Sequence, residues 1–243
     1  MWSGTSRRPG RLASRENRGQ SPISGTSASA MGNRALTPIL YDAVMRLPLT
    51  AFAAYFLVQE WQGLDGAQGW LHITAHVATM LFLALIAVMT IARRRPVRKA
   101  DGWAPRFAAL AGFLLLYALL VLPRAEPDPA WDSAALGLLL VGHFLCAVTL
   151  MQLGRSLSIM PEARRLVTEG LYARIRHPLY LGEAIATLGV LLLYRIPEAF
   201  ALVALQFGVQ LWRMYEEEKV LAAAFPEYAE YRRRTARLIP GIY

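Results

Sequence analysis

One cysteine, Cys146, serves a chain of 243 residues. No internal disulfide is possible, and no site that needs several thiolates can be assembled. Metal ligands do not cluster anywhere along the chain. No Gly-x-Gly-x-x-Gly follows a strand-like run, which excludes a Rossmann-type dinucleotide site. The first thirty residues lack an apolar stretch, so they do not read as a secretory signal. Acid is also in short supply: 17 Asp and Glu stand against 26 Lys and Arg, a formal net charge of +9.

What is abundant is apolar sequence, 55% of residues. It comes in long runs, with the charges gathered between them. A soluble helix interleaves the two; separation of this kind is the pattern of a membrane chain. The basic excess therefore reads as a membrane-orientation signal and as attraction to anionic headgroups. It does not read as a nucleic-acid surface, because the charge follows the ends of the apolar runs. Residues 1–35 differ in kind, being rich in Ser, Gly and Arg. They are expected to form a disordered tail or a stretch ahead of a true start at Met31; an organelle transit peptide has similar composition.

The predicted fold is all-α, an integral membrane helical bundle of about six spans with a cytoplasmic C-terminal cofactor site. The spans are expected near residues 38–58, 70–92, 105–122, 132–153, 179–194 and 197–214. Residues 36–153 would form a four-span region, and residues 154–243 a C-terminal unit with a helical hairpin and a tail. Arg93, Arg94, Arg95, Arg98, Lys99 and Arg106 crowd the link after the second run. Arg155, Arg164, Arg165, Arg174 and Arg176 occupy the link before the fifth. Lys219, Arg232, Arg233, Arg234 and Arg237 follow the sixth. The alternate links carry few, such as Arg124 and Arg195. That asymmetry predicts a multi-pass topology with both termini cytoplasmic. Trp61, Trp70, Trp103 and Trp131 fall near run ends, as interfacial aromatics do.

Two polar stretches then meet on the cytoplasmic side. In "GLYARIRHPLYLGE", residues 170–183, Pro178 drives His177 out of the helical region and suits the first helical position. His177 should stand at the positive end of a helix, a site suited to anionic groups. Tyr180 and Glu183 share a face of that helix. In "WRMYEEEKVL", residues 212–221, Arg213 and Glu217 face one side. Glu216, Glu217 and Glu218 oppose the helix dipole and need partners, which Arg174, Arg176 and His177 would supply. Phe225, Tyr228 and Tyr231 recur at helical spacing. They predict an amphipathic helix that lies on the membrane or covers the polar pocket.

Between about Leu153 and Ile239 the chain resembles the isoprenylcysteine carboxyl methyltransferase family, membrane enzymes related to phospholipid N-methyltransferases. The pieces that carry the resemblance are "LVTEGLYARIRHPLYLGE" and "EEKVLAAAFPEYAEYRRRTARLIP". It implies methyl transfer from S-adenosyl-L-methionine to a lipophilic small-molecule or lipidated acceptor. It further implies that Leu166, Val167, Tyr172, His177, Pro178, Leu179 and Tyr180 line the cofactor. Glu217 and Glu218 would hold its polar groups, and Arg213 would position an acceptor carboxylate. Arg164 and Arg165 stand where eukaryotic members show a His-Thr pair. A carboxylate acceptor needs orientation, for which a guanidinium fork is suited. An amine acceptor would need a base, with Glu183 or His177 as candidates. Three other readings fit the sequence: a membrane reductase of sterol type using NADPH, a phospholipid N-methyltransferase, and a non-enzymatic scaffold.

Overall fold

In the computed structural model, residues 47, 50–66, 69–157 and 162–241 are described, with backbone alone at 113, 114, 116, 117 and 120. The expected tail over residues 1–35 and the first part of the first span lie outside these residues. A helix, α1, is seen over 50–63, five residues past the expected end of that span. Then come α2 (Trp70–Ala92), α3 (Ala104–Leu120), α4 (Pro129–Leu153), α5 (Pro178–Tyr194), α6 (Pro197–Ala224) and α7 (Tyr228–Arg234). The architecture is helical; two short strands, β1 (Arg98–Lys99) and β2 (Glu162–Ala163), pair antiparallel.

Proline sets several helix starts. Asp128 accepts hydrogen bonds from the Ala130 and Trp131 amides, and Pro129 takes the first turn, where no donor is missed. That cap starts α4 three residues before the expected 132. Pro178 and Pro197 open α5 and α6 in the same way. Two helices, Trp70–Ala92 and the stretch Pro129–Ser156 that extends α4, are long and apolar enough to cross a membrane; α5 is a shorter apolar helix. Their outward faces carry Leu81, Val88, Ile91, Val141, Phe144 and Leu188 exposed, a surface suited to hydrocarbon rather than water. Trp61, Trp70, Trp103 and Trp131 are exposed at helix ends, as expected.

The tightest seam joins α4 to α5. A Cβ added at Gly142 would stand 2.6 Å from the Ala186 amide nitrogen, and one at Gly182 2.6 Å from Cys146 Sγ. A Cβ at Gly189 would meet the Ala135 carbonyl at 2.7 Å. Small residues thus let the two backbones touch, which is how helices associate when no water is expelled between them. The seam fixes the depth of each α5 residue against α4.

The links sort to two ends. At one end Arg94 N donates to Arg155 O (2.7 Å), Val97 N to Ala163 O (2.7 Å) and Arg155 Nε to Ala92 O (2.7 Å). Arg98 reaches the Ala223 carbonyl at 3.3 Å. The basic links and the end of α6 therefore share one end of the bundle. At the other end Ala125 N donates to Leu193 O (3.0 Å), and Arg195 lies 3.8 Å from Asp132. At 28 residues, α6 is about 42 Å long, against a hydrocarbon core of about 30 Å. The acids sit in its last turns.

Candidate active site

Successive residues on a helix point about 100° apart, so three acids in a row cannot share a partner. Glu216 turns to Lys219 (3.0 and 3.1 Å). Glu217 accepts the Tyr180 hydroxyl. Glu218 accepts Arg176 Nε at 2.9 Å, Arg237 Nε and Nη2 at 3.0 Å each, and faces His177 Nε2 at 3.2 Å. Burial works to raise the Glu218 carboxyl. The hydrogen bonds from His177, Arg237 and Arg176 outweigh it and hold that carboxyl far below the usual range.

Around Glu218 the tail clasps the segment before α5. Arg176 N donates to Ala236 O (2.9 Å), His177 N to Arg237 O (3.1 Å) and Ala236 N to Arg174 O (3.0 Å). Arg176 also donates to the carbonyls of Arg232 and Thr235. His177 occupies the N-cap position, as expected, but its side chain makes no cap bond; the ring is spent on Glu218. Arg174, expected to face the acids, is exposed and joins the clasp through its backbone. Gly170 turns the chain at φ +62°, and a side chain there would strike Gln152, whose oxygen accepts the Leu171 amide at 2.9 Å.

The expected helix around Phe225, Tyr228 and Tyr231 is corrected in extent. Phe225 is the extended C-cap of α6, and α7 begins at Tyr228. Tyr228 and Tyr231 point inward and are buried, so α7 is a cover rather than a helix with its apolar face on lipid. The Tyr231 hydroxyl donates to the Tyr172 carbonyl at 2.8 Å. Burial pushes Tyr231 up to about 12 and Tyr228 and Tyr172 higher still, so all three stay neutral donors.

Under this cover lies a cavity of about 410 Å³. Its polar end is walled by Leu166, Val167, Tyr172, His177, Leu179, Tyr180, Glu217 and the cover tyrosines. Its apolar end runs between α2, α4 and α5 past Phe82, Leu139 and Val190. Arg213 joins the two, with its guanidinium 5.3 Å from the centre of the Tyr180 ring and 3.2 Å from Gln210 Oε1. Gln210 Nε2 donates to Glu183 at 2.6 Å. Of the residues singled out in the sequence, Pro178 and Glu218 are not in the wall: Pro178 starts α5 and Glu218 closes the clasp. Sequence reasoning missed Gln210, Gln206, Arg237 and His143 as site-side residues. The signal for two of them was a four-residue spacing, Gln206–Gln210, leading on to Arg213 and Glu217 along α6.

The residues fit the cofactor that the resemblance implies. The Tyr228 hydroxyl is buried, lines the cavity and has no hydrogen-bond partner among the described residues. Such a group costs about 1–3 kcal/mol unless a ligand satisfies it. Glu217 offers a charged acceptor for hydroxyl or amine, and apolar walls flank it. Among the described residues no group of His, Cys, Asp and Glu could hold a metal.

Residues 135–223 match the model of the isoprenylcysteine carboxyl methyltransferase (ICMT) family. A protein-S-isoprenylcysteine O-methyltransferase of Schizosaccharomyces pombe is 32% identical over 46% of this chain and 50% of its own length. The cobalt-zinc-cadmium resistance protein CzcN of Cupriavidus metallidurans is 34% identical over 46% and 54%. Methanethiol S-methyltransferase 2 of Bradyrhizobium diazoefficiens is 29% identical over 70% and 74%. The chain spans about half the length of the first two of these relatives. The stretch that matches this family's model contains both the His177–Pro178 start of α5 and the Glu217–Glu218 pair of α6, which the fold brings together.

Proposed function

We propose that the protein is an integral membrane methyltransferase that uses S-adenosyl-L-methionine to methylate a lipophilic acceptor, its carboxylate in the isoprenylcysteine-like case. The observation that carries this reading is one cavity with two characters. Its polar end is built by segments some forty positions apart, and its apolar end opens among helices of membrane length. A water-soluble donor and a lipid-soluble acceptor need such a meeting place.

The bound cofactor supplies an electrophilic methyl on a sulfonium. Leu166, Val167, Leu179 and Tyr180 would wall it, and Tyr172 and His177 would flank it at the start of α5. Glu217 would accept from its hydroxyl or amine groups. Glu218 acts on the site through His177 and Arg176, which it holds in place. Arg213 would orient an acceptor carboxylate with its fork, which lies 5.3 Å from the centre of the Tyr180 ring. A carboxylate is ionised already, so no base is required. Alignment alone is worth up to about 7–11 kcal/mol. On this reading the basic links and tail mark the polar end, and both termini, as cytoplasmic. Membrane lipids and the lipidated or small lipophilic acceptor are the partners; nucleic acid is not.

The test is a labelled-methyl transfer assay with membrane extract as acceptor source, followed by identification of the product. Purified protein should be stabilised thermally by S-adenosyl-L-methionine. Glu217→Ala and His177→Ala should lose that stabilisation while still inserting. Stabilisation by NADPH and not by the methyl donor would replace this reading with the reductase.

A further inference from the structure

The apolar end of the cavity is not apolar throughout. Four polar side chains line it well away from Arg213: Thr79 on α2, His143 on α4, Thr187 on α5 and Gln206 on α6. Packing puts them at one depth. Gly142 is pressed against Ala186, so His143 is level with Thr187. Gln210 is bonded to Glu183, so one turn further Gln206 is level with Thr187. Thr79 and His143 are 3.4 Å apart across α2 and α4.

Two members of this layer have unspent capacity. Thr187 donates to its own helix at Glu183 O (2.8 Å), and Thr79 to Ala75 O (2.9 Å). With the Thr79 hydrogen committed, His143 Nδ1–H is the donor between them, which leaves Nε2 as an acceptor. Gln206 is only 2% exposed, its amide has no hydrogen bond among the described residues, and its oxygen is fully enclosed. Polar residues within a membrane bundle ordinarily bridge helices. Among the described residues Gln206 bridges nothing, although it lines the cavity.

We infer that this layer is a specificity site for a second, neutral hydrogen-bonding group on the acceptor, a hydroxyl. Gln206 is seven residues from Arg213 on one helix, which places that group about 10 Å from the position of the carboxylate. It is neutral because the charged residues of the cavity wall sit elsewhere: Glu183 one turn away, and Glu162, Arg164, Arg165, Arg176, Arg213 and Glu217 toward the polar end. A hydroxyl both donates to His143 Nε2 and pairs with the Gln206 amide; a bare hydrocarbon chain leaves both unsatisfied. The inference rests on the proposed function and narrows it from any lipophilic acceptor to an amphiphile with a polar group part-way along its tail.

The experiment uses the full chain in detergent micelles with saturating S-adenosylhomocysteine. Two straight-chain carboxylic acids of equal length serve as probes, one bearing a hydroxyl about 10 Å from its carboxylate. Calorimetry should show the hydroxylated acid binding about tenfold tighter, the worth of one good buried hydrogen bond. Gln206→Leu and His143→Phe should bind the two acids alike. Equal binding, or no binding, of the pair by the unaltered protein overturns the inference, whether or not either variant folds. A preference that survives both substitutions overturns it as well. S-Adenosylhomocysteine binding is read first, in its own titration, and its absence is a failure of the proposed function itself.

Discussion

Replacing Glu218 with alanine removes the acid on which the clasp converges. The side chain is 5% exposed, and its partners Arg176 and Arg237 are 11% and 17% exposed. Deleting one member of a buried ion pair costs about 3–5 kcal/mol, chiefly because the remaining charge is stranded. Two guanidiniums would lose their carboxylate here, but Arg176 keeps the Arg232 and Thr235 carbonyls. The lower end, about 3 kcal/mol, is therefore the expected cost. It should fall on the clasp and not on the bundle, since the α4–α5 seam does not involve Glu218. Local opening then rises about a hundredfold, at roughly 1.4 kcal/mol per decade. Tryptic cleavage after Arg176 and Arg237, measured on protein in micelles, should rise by that factor where opening precedes cutting. Glu216→Ala is the control: its partner Lys219 is half exposed, and such pairs are worth about 0–1 kcal/mol. Equal cleavage rates in the two variants would refute the claim that Glu218 holds the segment before α5.

The same carboxylate predicts a pH dependence. Its folded value lies below the ordinary 4.5, so its contribution is complete above that pH and is lost as pH falls through the folded value. Cleavage of the clasp by an acid-active protease should rise below about pH 4, and Glu218→Ala should flatten the rise. Glu217→Gln keeps an acceptor for Tyr180 but loses the charge; calorimetry should find S-adenosyl-L-methionine binding about ten- to a hundredfold weaker. Gly142→Val puts atoms into the Ala186 backbone, and thermal unfolding in micelles should show a loss of at least about 1–3 kcal/mol, against little change for an exposed Gly208→Ala.

Apolar runs and prolines made most of the fold legible. Pro178 and Pro197 marked helix starts directly, whereas α4 began earlier than its apolar run because Asp128 caps it, and a cap is a matter of one side chain. The end of α6 was less legible, since charged residues continue a helix as readily as they leave it. Within the site, spacing put Arg213 with Glu217 and Tyr180 with Glu183, and the helical hairpin brought the two stretches to one end; that Tyr180, Glu217 and Arg213 serve one ligand pair came only from the resemblance. The division of labour among the acids was not readable. Nothing in "EEE" says which carboxylate meets a lysine, which the cavity and which the clasp; the phase of α6 against α5 decides it. His143 was hidden for a different reason: it lies in an apolar run, and only the α4–α5 seam turns it toward the cavity.

That phase makes α6 the ruler of the site. Gln206, Gln210, Arg213 and Glu217 lie at intervals of four, three and four, one face of a helix over about 16 Å. Every one of them lines the cavity. The order along that face is fixed: an unsatisfied amide deep in the bundle, an amide bonded to Glu183, a cation over Tyr180, then an acid at the cover. Under the proposed function, a ligand pair bound along it would place its neutral polar group deepest, its anion at Arg213 and its hydroxyls or amine at Glu217. Because the spacing belongs to one helix, no loop movement can alter it. Insertion of a single residue between Gln206 and Arg213 would rotate Gln206 by about 100° off the face while leaving Arg213 and Glu217 in step with α5. Such a variant separates the two ends of the site without changing any side chain in it.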